Sequence, residues 1–87
     1  MKNYNEKYFK SLDYSAKKSA KAIIPLLLDV ISPSSVIDVG CGTGAWLAVF
    51  MEHGIDDIQG LDGTDLNPNL LQIPNDCFIT VNLEKRF

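Results

Sequence analysis

The chain has 87 residues, 8 Lys+Arg against 11 Asp+Glu for a formal net charge of −3, and is 46% hydrophobic and 22% charged. That length holds one small domain with a marginal core, because a chain of this size buries only about 60–65% of its unfolded surface. The composition excludes a disordered chain, and no apolar run reaches the roughly 18 residues that a membrane span needs.

The start, MKNYNEKYFK, lacks the apolar core of a secretory signal, so the expected compartment is cytoplasmic. Residues 1–21 hold six lysines against Glu6 and Asp13, a net +4, whereas residues 22–87 hold Lys85 and Arg86 against nine acids, a net −7. Tyr4, Tyr8, Phe9 and Tyr14 are interleaved with these lysines. Without arginines or a known binding motif, the stretch reads as an amphipathic helical segment with solvated lysines and buried aromatics, and no clear nucleic-acid site. Residues 4–12 are expected to form a short helix, with Ser15 as the N-cap of a longer one. Ala16, Ala20, Ile23, Ile24, Leu27, Leu28 and Ile31 then recur at three- and four-residue spacing as an apolar stripe. Pro25 interrupts the stripe, so either the helix kinks there or a second one begins. Pro33 sets the stop near Ser32.

Val36-Ile37-Asp38-Val39 lies between the turn signals SPSS and GCG and reads as a buried strand. From about Thr43 the pattern turns helical, with Trp46, Leu47, Val49, Phe50 and Met51 on a broad apolar face and Trp46 assigned to core packing. His53-Gly54 supplies the stop, with Gly54 suited to the left-handed position after the helix. Residues 55–61 read as a second strand ending at Asp62, GTDLNPN as a turn, residues 66–73 as one or two helical turns, and residues 78–83 as a third strand. Cys41 and Cys77 form no CxxC pair and are joined by a single histidine, His53, which argues against zinc and a disulfide framework. The alternation predicts a three-stranded parallel α/β sheet with flanking helices, its ligand beyond the carboxyl ends of the strands, where residues 40–44 and Asp62 fall.

Gly40, Gly42 and Gly44 suit a turn whose backbone meets a ligand, followed by a helix aimed at the same spot. Gly40-x-Gly42-x-x-Ala45 satisfies the dinucleotide fingerprint, and Asp62 stands 22 residues after Gly40, close to the expected ribose acid. Asp38 separates the candidates: beside a pyrophosphate it would place two like charges in a poorly screened cleft. Beside a cofactor that carries a sulfonium and an ammonium, its charge is favourable.

Asp38-Val39-Gly40-Cys41-Gly42-Thr43-Gly44 resembles motif I, (D/E)xGxGxG, of the class I S-adenosylmethionine-dependent methyltransferases. The resemblance implies a partial Rossmann-like domain with sheet order 3-2-1, divided into residues 1–32, helical, and residues 33–87, cofactor-binding. It implies that Asp38 organises the methionine ammonium and that Gly40, Cys41 and Gly42 line the methionine and sulfonium region. Gly44 would open the helix, Asp62 would take the ribose hydroxyls, and Asn82 and the Leu83 amide would meet adenine. Gly63 stands where the family often has a bulkier residue against adenine, and Asn82 where it commonly has aspartate. The family's complete sheet has seven strands in the order 3-2-1-4-5-7-6, so this segment corresponds to the donor-binding half, with an unidentified methyl acceptor. Its first strand is then an apolar edge, expected to be covered by a partner chain, a second copy or a rearranged N-terminal segment. Two alternatives stand beside this reading: a nicotinamide-dependent oxidoreductase fragment, and a noncatalytic assembly module that keeps half of the fold.

Overall fold

The structure, a computed structural model, describes residues 5–63 and 66–81, with side chains described from residue 11 onward. Helix α1 (Asn5–Leu28) leads to strand β1 (Val36–Val39), helix α2 (Ala45–Glu52) and strand β2 (Ile58–Asp62). Two 3-10 turns, Pro68–Leu70 and Asn75–Cys77, then precede strand β3 (Phe78–Thr80).

The N-terminal segment is one helix, not two. Ser15 lies inside it instead of capping a new start, and Pro25 is carried within it. A proline inside a helix costs about 3 kcal/mol. Here the stripe is anchored on both sides of it. Ala20 and Ile24 are fully buried against Val49 and Phe50 of α2, and Leu28, beyond the proline, packs on the same cluster. A fully buried aliphatic side chain such as Ile24 contributes about 1.5–3 kcal/mol, and the partly buried Leu28 adds to it, so the two straddling Pro25 together offset its cost. Tyr14 departs from the expectation of buried aromatics, being 70% exposed. It precedes Ala20 by six residues, which places it about 120° round the helix from the buried stripe. The side chains of Tyr4, Tyr8 and Phe9 lie outside the described residues.

Helix α2 ends as its sequence requires. Gly54 adopts φ +93°, its N–H donates to Met51 O, and the Ile55 N–H donates to Phe50 O. This pair of bonds satisfies the last carbonyls of the helix. It also explains why β2 begins at Ile58 and not at residue 55: the Ile55 amide is already spent on the helix end.

The three strands are parallel in the order β1-β2-β3, the expected 3-2-1 order read from the other edge. Residues 78–80 form β3, and residues 82–83 of the expected third strand lie outside the described residues. Val36, Ile58 and Phe78 face α2 and share a cluster with Leu47, Ala48 and Ile73. The alternate positions Ile37, Val39 and Ile79 point to the other face and stay exposed, Ile37 and Val39 by 66% and 56%. Among the described residues β1 pairs with β2 alone, and nothing covers that second face. No described helix is long and apolar enough to cross a membrane.

Ile24 is the test of this packing. Ile24→Ala should lower stability by about 2–5 kcal/mol in urea titrations, the range for emptying a fully buried aliphatic site. A loss below about 1 kcal/mol would place Ile24 outside the core.

Candidate functional site

The site is built where β1 and β2 end. Their register sets Asp38 opposite Gly60 and Val39 opposite Leu61, so the chain leaving β1 turns over the end of β2. The Leu61 carbonyl receives two amides of that turn, from Gly40 at 2.6 Å and from Cys41 at 3.2 Å. Gly40, Gly42 and Gly44 take φ values of +78°, +60° and +88°, which side-chain-bearing residues rarely adopt. Gly42 N–H then donates to Asp62 Oδ2 at 2.8 Å, joining the middle of the loop to the end of β2. Gly60 makes the close approach possible: a β-carbon there would lie 2.6 Å from Cys41 Sγ.

A cavity of about 510 Å³ opens beside this loop. Asp38, Gly40, Cys41 and Gly42 line it, with Ala16 of α1 and Trp46 of α2 as walls. Trp46 thus also packs on the Ala20–Phe50 cluster, as its sequence position suggested, while forming part of the cavity. Gly44 sits against Ile73 at the start of α2 and Gly63 is exposed beyond β2, so neither lines the cavity. Asn82 and Leu83 lie outside the described residues.

Burial raises the Asp38 carboxyl above its ordinary value of 3.8, and the negative charge of Asp62 adds to the rise. The Cys41 thiol is pushed up to about 11 by burial, then by Asp38 and Asp62. It is therefore a neutral thiol at physiological pH and a poor nucleophile.

A second set of contacts holds the loop from its other side. Thr43 is buried, and its hydroxyl donates to Asp13 Oδ1 of α1. Gln72 Nε2 donates to Asp13 Oδ2 at 3.0 Å, and the Gln72 backbone N–H donates to Thr43 O at 2.8 Å. Lys17 Nζ donates to Gln72 Oε1 at 2.9 Å and lies 3.9 Å from Glu52. Neither Asp13 nor Gln72 carries a local sequence signal for this role. Thr43 does, as a hydroxyl inside a glycine loop that must bury it.

No protein-family model, no curated protein and no solved structure matches this chain.

The raised Asp38 carboxyl sets a pH dependence. An acid whose folded pKa lies above its unfolded value makes the ionised fold less stable, and that penalty fades as pH falls through the window between the two values. Asp38→Asn should therefore raise Tm by a few degrees near neutral pH, with the gain shrinking as pH approaches about 4. Thermal melts of both proteins across that range check it, and a pH-independent difference would remove Asp38 as the cause.

Proposed function

We propose that the cavity beside the glycine loop binds S-adenosylmethionine, and that the chain is the donor-binding half of a class I methyltransferase of Rossmann-like topology. Asp38 carries this reading. Its half-buried carboxylate lines a cavity of ligand size and stands near a second acid, Asp62. Among the described residues neither a cation nor a hydrogen-bond donor meets it. A cationic ligand relieves both the burial and the like-charge repulsion, whereas a pyrophosphate adds a further negative charge. The nicotinamide alternative is weaker for that reason.

When bound, S-adenosylmethionine would supply an electrophilic methyl group, taken by the acceptor's lone pair as the methyl–sulfur bond breaks and S-adenosylhomocysteine departs as the neutral thioether. The chain's own residues bind and orient. Asp38 accepts from the ammonium, and the peptide atoms of Gly40 and Gly42 line the methionine portion without side chains between. Cys41, held as a neutral thiol, adds wall and no charge. Gly44 starts α2 so that its first amides face the loop. Asp62 accepts from the ribose hydroxyls while also fixing the Gly42 amide, so it shapes the loop as well as the ligand. Asn82 and Leu83 take the adenine edge by resemblance. Rate enhancement in such a site comes mainly from proximity and orientation of donor and acceptor.

A second reading, a noncatalytic assembly module, is favoured by one observation: the exposed apolar sheet face of Ile37, Val39 and Ile79. Calorimetry separates the readings. S-adenosylhomocysteine should bind and NAD should not. Asp38→Asn should weaken the former by about tenfold or more, since a hydrogen bond to a charged group contributes about 1.5–3 kcal/mol and 1.4 kcal/mol is tenfold. Asp62→Ala should weaken it comparably. Binding of neither ligand would overturn the donor-site reading and leave the assembly module.

A further inference from the structure

Helix α1 borders a second concavity, of about 580 Å³, lined by Asp13, Tyr14, Lys17, Lys18, Lys21 and Gln72. An ordinary solvated helix face would spread its lysines among acids and keep its aromatics inside. This trough gathers three lysines against one lining acid and leaves its aromatic outside. The Tyr14 ring is 70% exposed, with Lys18 Nζ 5.8 Å from its centroid. Asp13 is the one carboxylate in the lining, bonded there by Thr43 and Gln72, and three lysines outnumber it. Lys17 is held by Gln72 and Glu52. Lys18 and Lys21 remain, with no carboxylate paired to either among the described residues.

The sequence spacing extends the pattern. Positions 7, 10, 14, 17 and 21 are lysine except for Tyr14, and their alternating steps of three and four fall on one helical stripe. Cationic positions thus recur along about 20 Å of helix, with one aromatic ring exposed in the middle. The chain as a whole is acidic at −3, so attraction of a polyanion here is a property of this face and not of net charge. An anionic membrane fits less well. The exposed apolar residues Leu12 and Ile23 lie about 160° and 180° round the helix from Tyr14, so a bilayer taking them up would hold the lysines away from its head groups.

We propose that this trough binds single-stranded nucleic acid, with Lys18 and Lys21 on successive phosphates and a base stacked on Tyr14. Lysine-lined grooves with an exposed aromatic platform hold single strands in this way, with little sequence preference. The proposal is independent of the cofactor reading. The trough touches the cofactor loop through the Asp13–Thr43 bond and the Gln72 amide on Thr43 O, and Lys18, Lys21 and Tyr14 take part in neither.

Fluorescence anisotropy of the full chain tests it, with labelled oligo-dT and oligo-U of about twelve nucleotides, within the usual site size of such grooves. Binding should saturate and weaken with salt, with a logarithmic slope of about 0.7 per phosphate, hence about 1.4 for two lysines. The double variant Lys18→Ala/Lys21→Ala should weaken binding tenfold or more and flatten that slope. Tyr14→Ala should weaken it roughly fivefold to a hundredfold, with Tyr14→Phe close to the parent. Calorimetric binding of S-adenosylhomocysteine should be unaltered in these variants, which keeps the two readings separable. Absence of saturation on either oligonucleotide overturns the proposal. So does equal affinity in the lysine and tyrosine variants, or anionic phosphatidylserine vesicles that bind where the oligonucleotides do not compete. Should an alanine variant fail to fold, the parent's salt slope and the vesicle competition decide.

Discussion

The parallel pairing of β1 with β2, with Asp38 level with Gly60, is the constraint on which the rest of the site depends. It brings the two strand ends together, so the turn leaving β1 must pass directly over β2. The absence of a side chain at Gly60 leaves the space that Cys41 Sγ occupies, and the Leu61 carbonyl gathers the first two amides of the turn. From there the Gly42 amide has one direction to face, and Asp62 stands in it. A side chain at Gly60 would lift Cys41 off the strand and carry the Gly42 amide with it. The cavity is thus shaped by backbone and by a missing methyl group more than by any polar side chain.

The same loop is held from outside by contacts that span the sequence. Buried hydroxyls are paired in native structures, and Thr43 is paired with a residue 30 positions earlier, on α1. Gln72, 59 positions from Asp13, uses its amide group on both Asp13 and Lys17 and its backbone N–H on Thr43. Three elements meet at this knot: α1, the glycine loop and the segment between the 3-10 turns. Such a network stabilises only when each member is satisfied, and here both Asp13 oxygens have a donor. The helix that the sequence suggested as an amphipathic segment with solvated lysines is therefore also part of what sets the loop's position.

The pattern of success in reading this sequence follows from the range of the forces involved. The position of the strand at residues 36–39, the glycine turn, the Gly54 stop and the parallel order were legible because each rests on local chemistry: an apolar run between turn signals, positive φ and the rules of βαβ connection. The expected burial of that strand was not met, since Ile37 and Val39 are exposed. The start of β2 was misplaced because a helix-end motif claimed the Ile55 amide, a competition between two local signals in which the cap won. Continuity of α1 through Pro25 was not legible, since Ile24 and Leu28 find their partners on α2 about 25 residues away in sequence, and tertiary packing outweighed a local penalty. Of the Asp13–Thr43–Gln72 knot only Thr43, a hydroxyl inside a glycine loop, had a local trace, and its partners lie about 30 positions away on either side. Tyr14 was misassigned because the apolar character of an aromatic ring says nothing about which side of the helix is covered.

The position of α1 also explains how one small chain keeps two opposite electrostatic environments. Ala16 borders the cavity that holds Asp38, while Lys18 and Lys21 border the trough on another side of the same helix. A helix with its side chains is about 10–12 Å across, which is close to the Debye length of about 8–10 Å near physiological ionic strength. Charges on one side are therefore largely screened from those on the other where solvent fills the path between them. Asp13 lines the trough and is bonded to the loop of the acidic side, so its carboxylate sits between the two environments. Neutral donors leave its charge in place, so the trough is basic because Lys17, Lys18 and Lys21 outnumber that carboxylate, while the same carboxylate fixes the glycine loop.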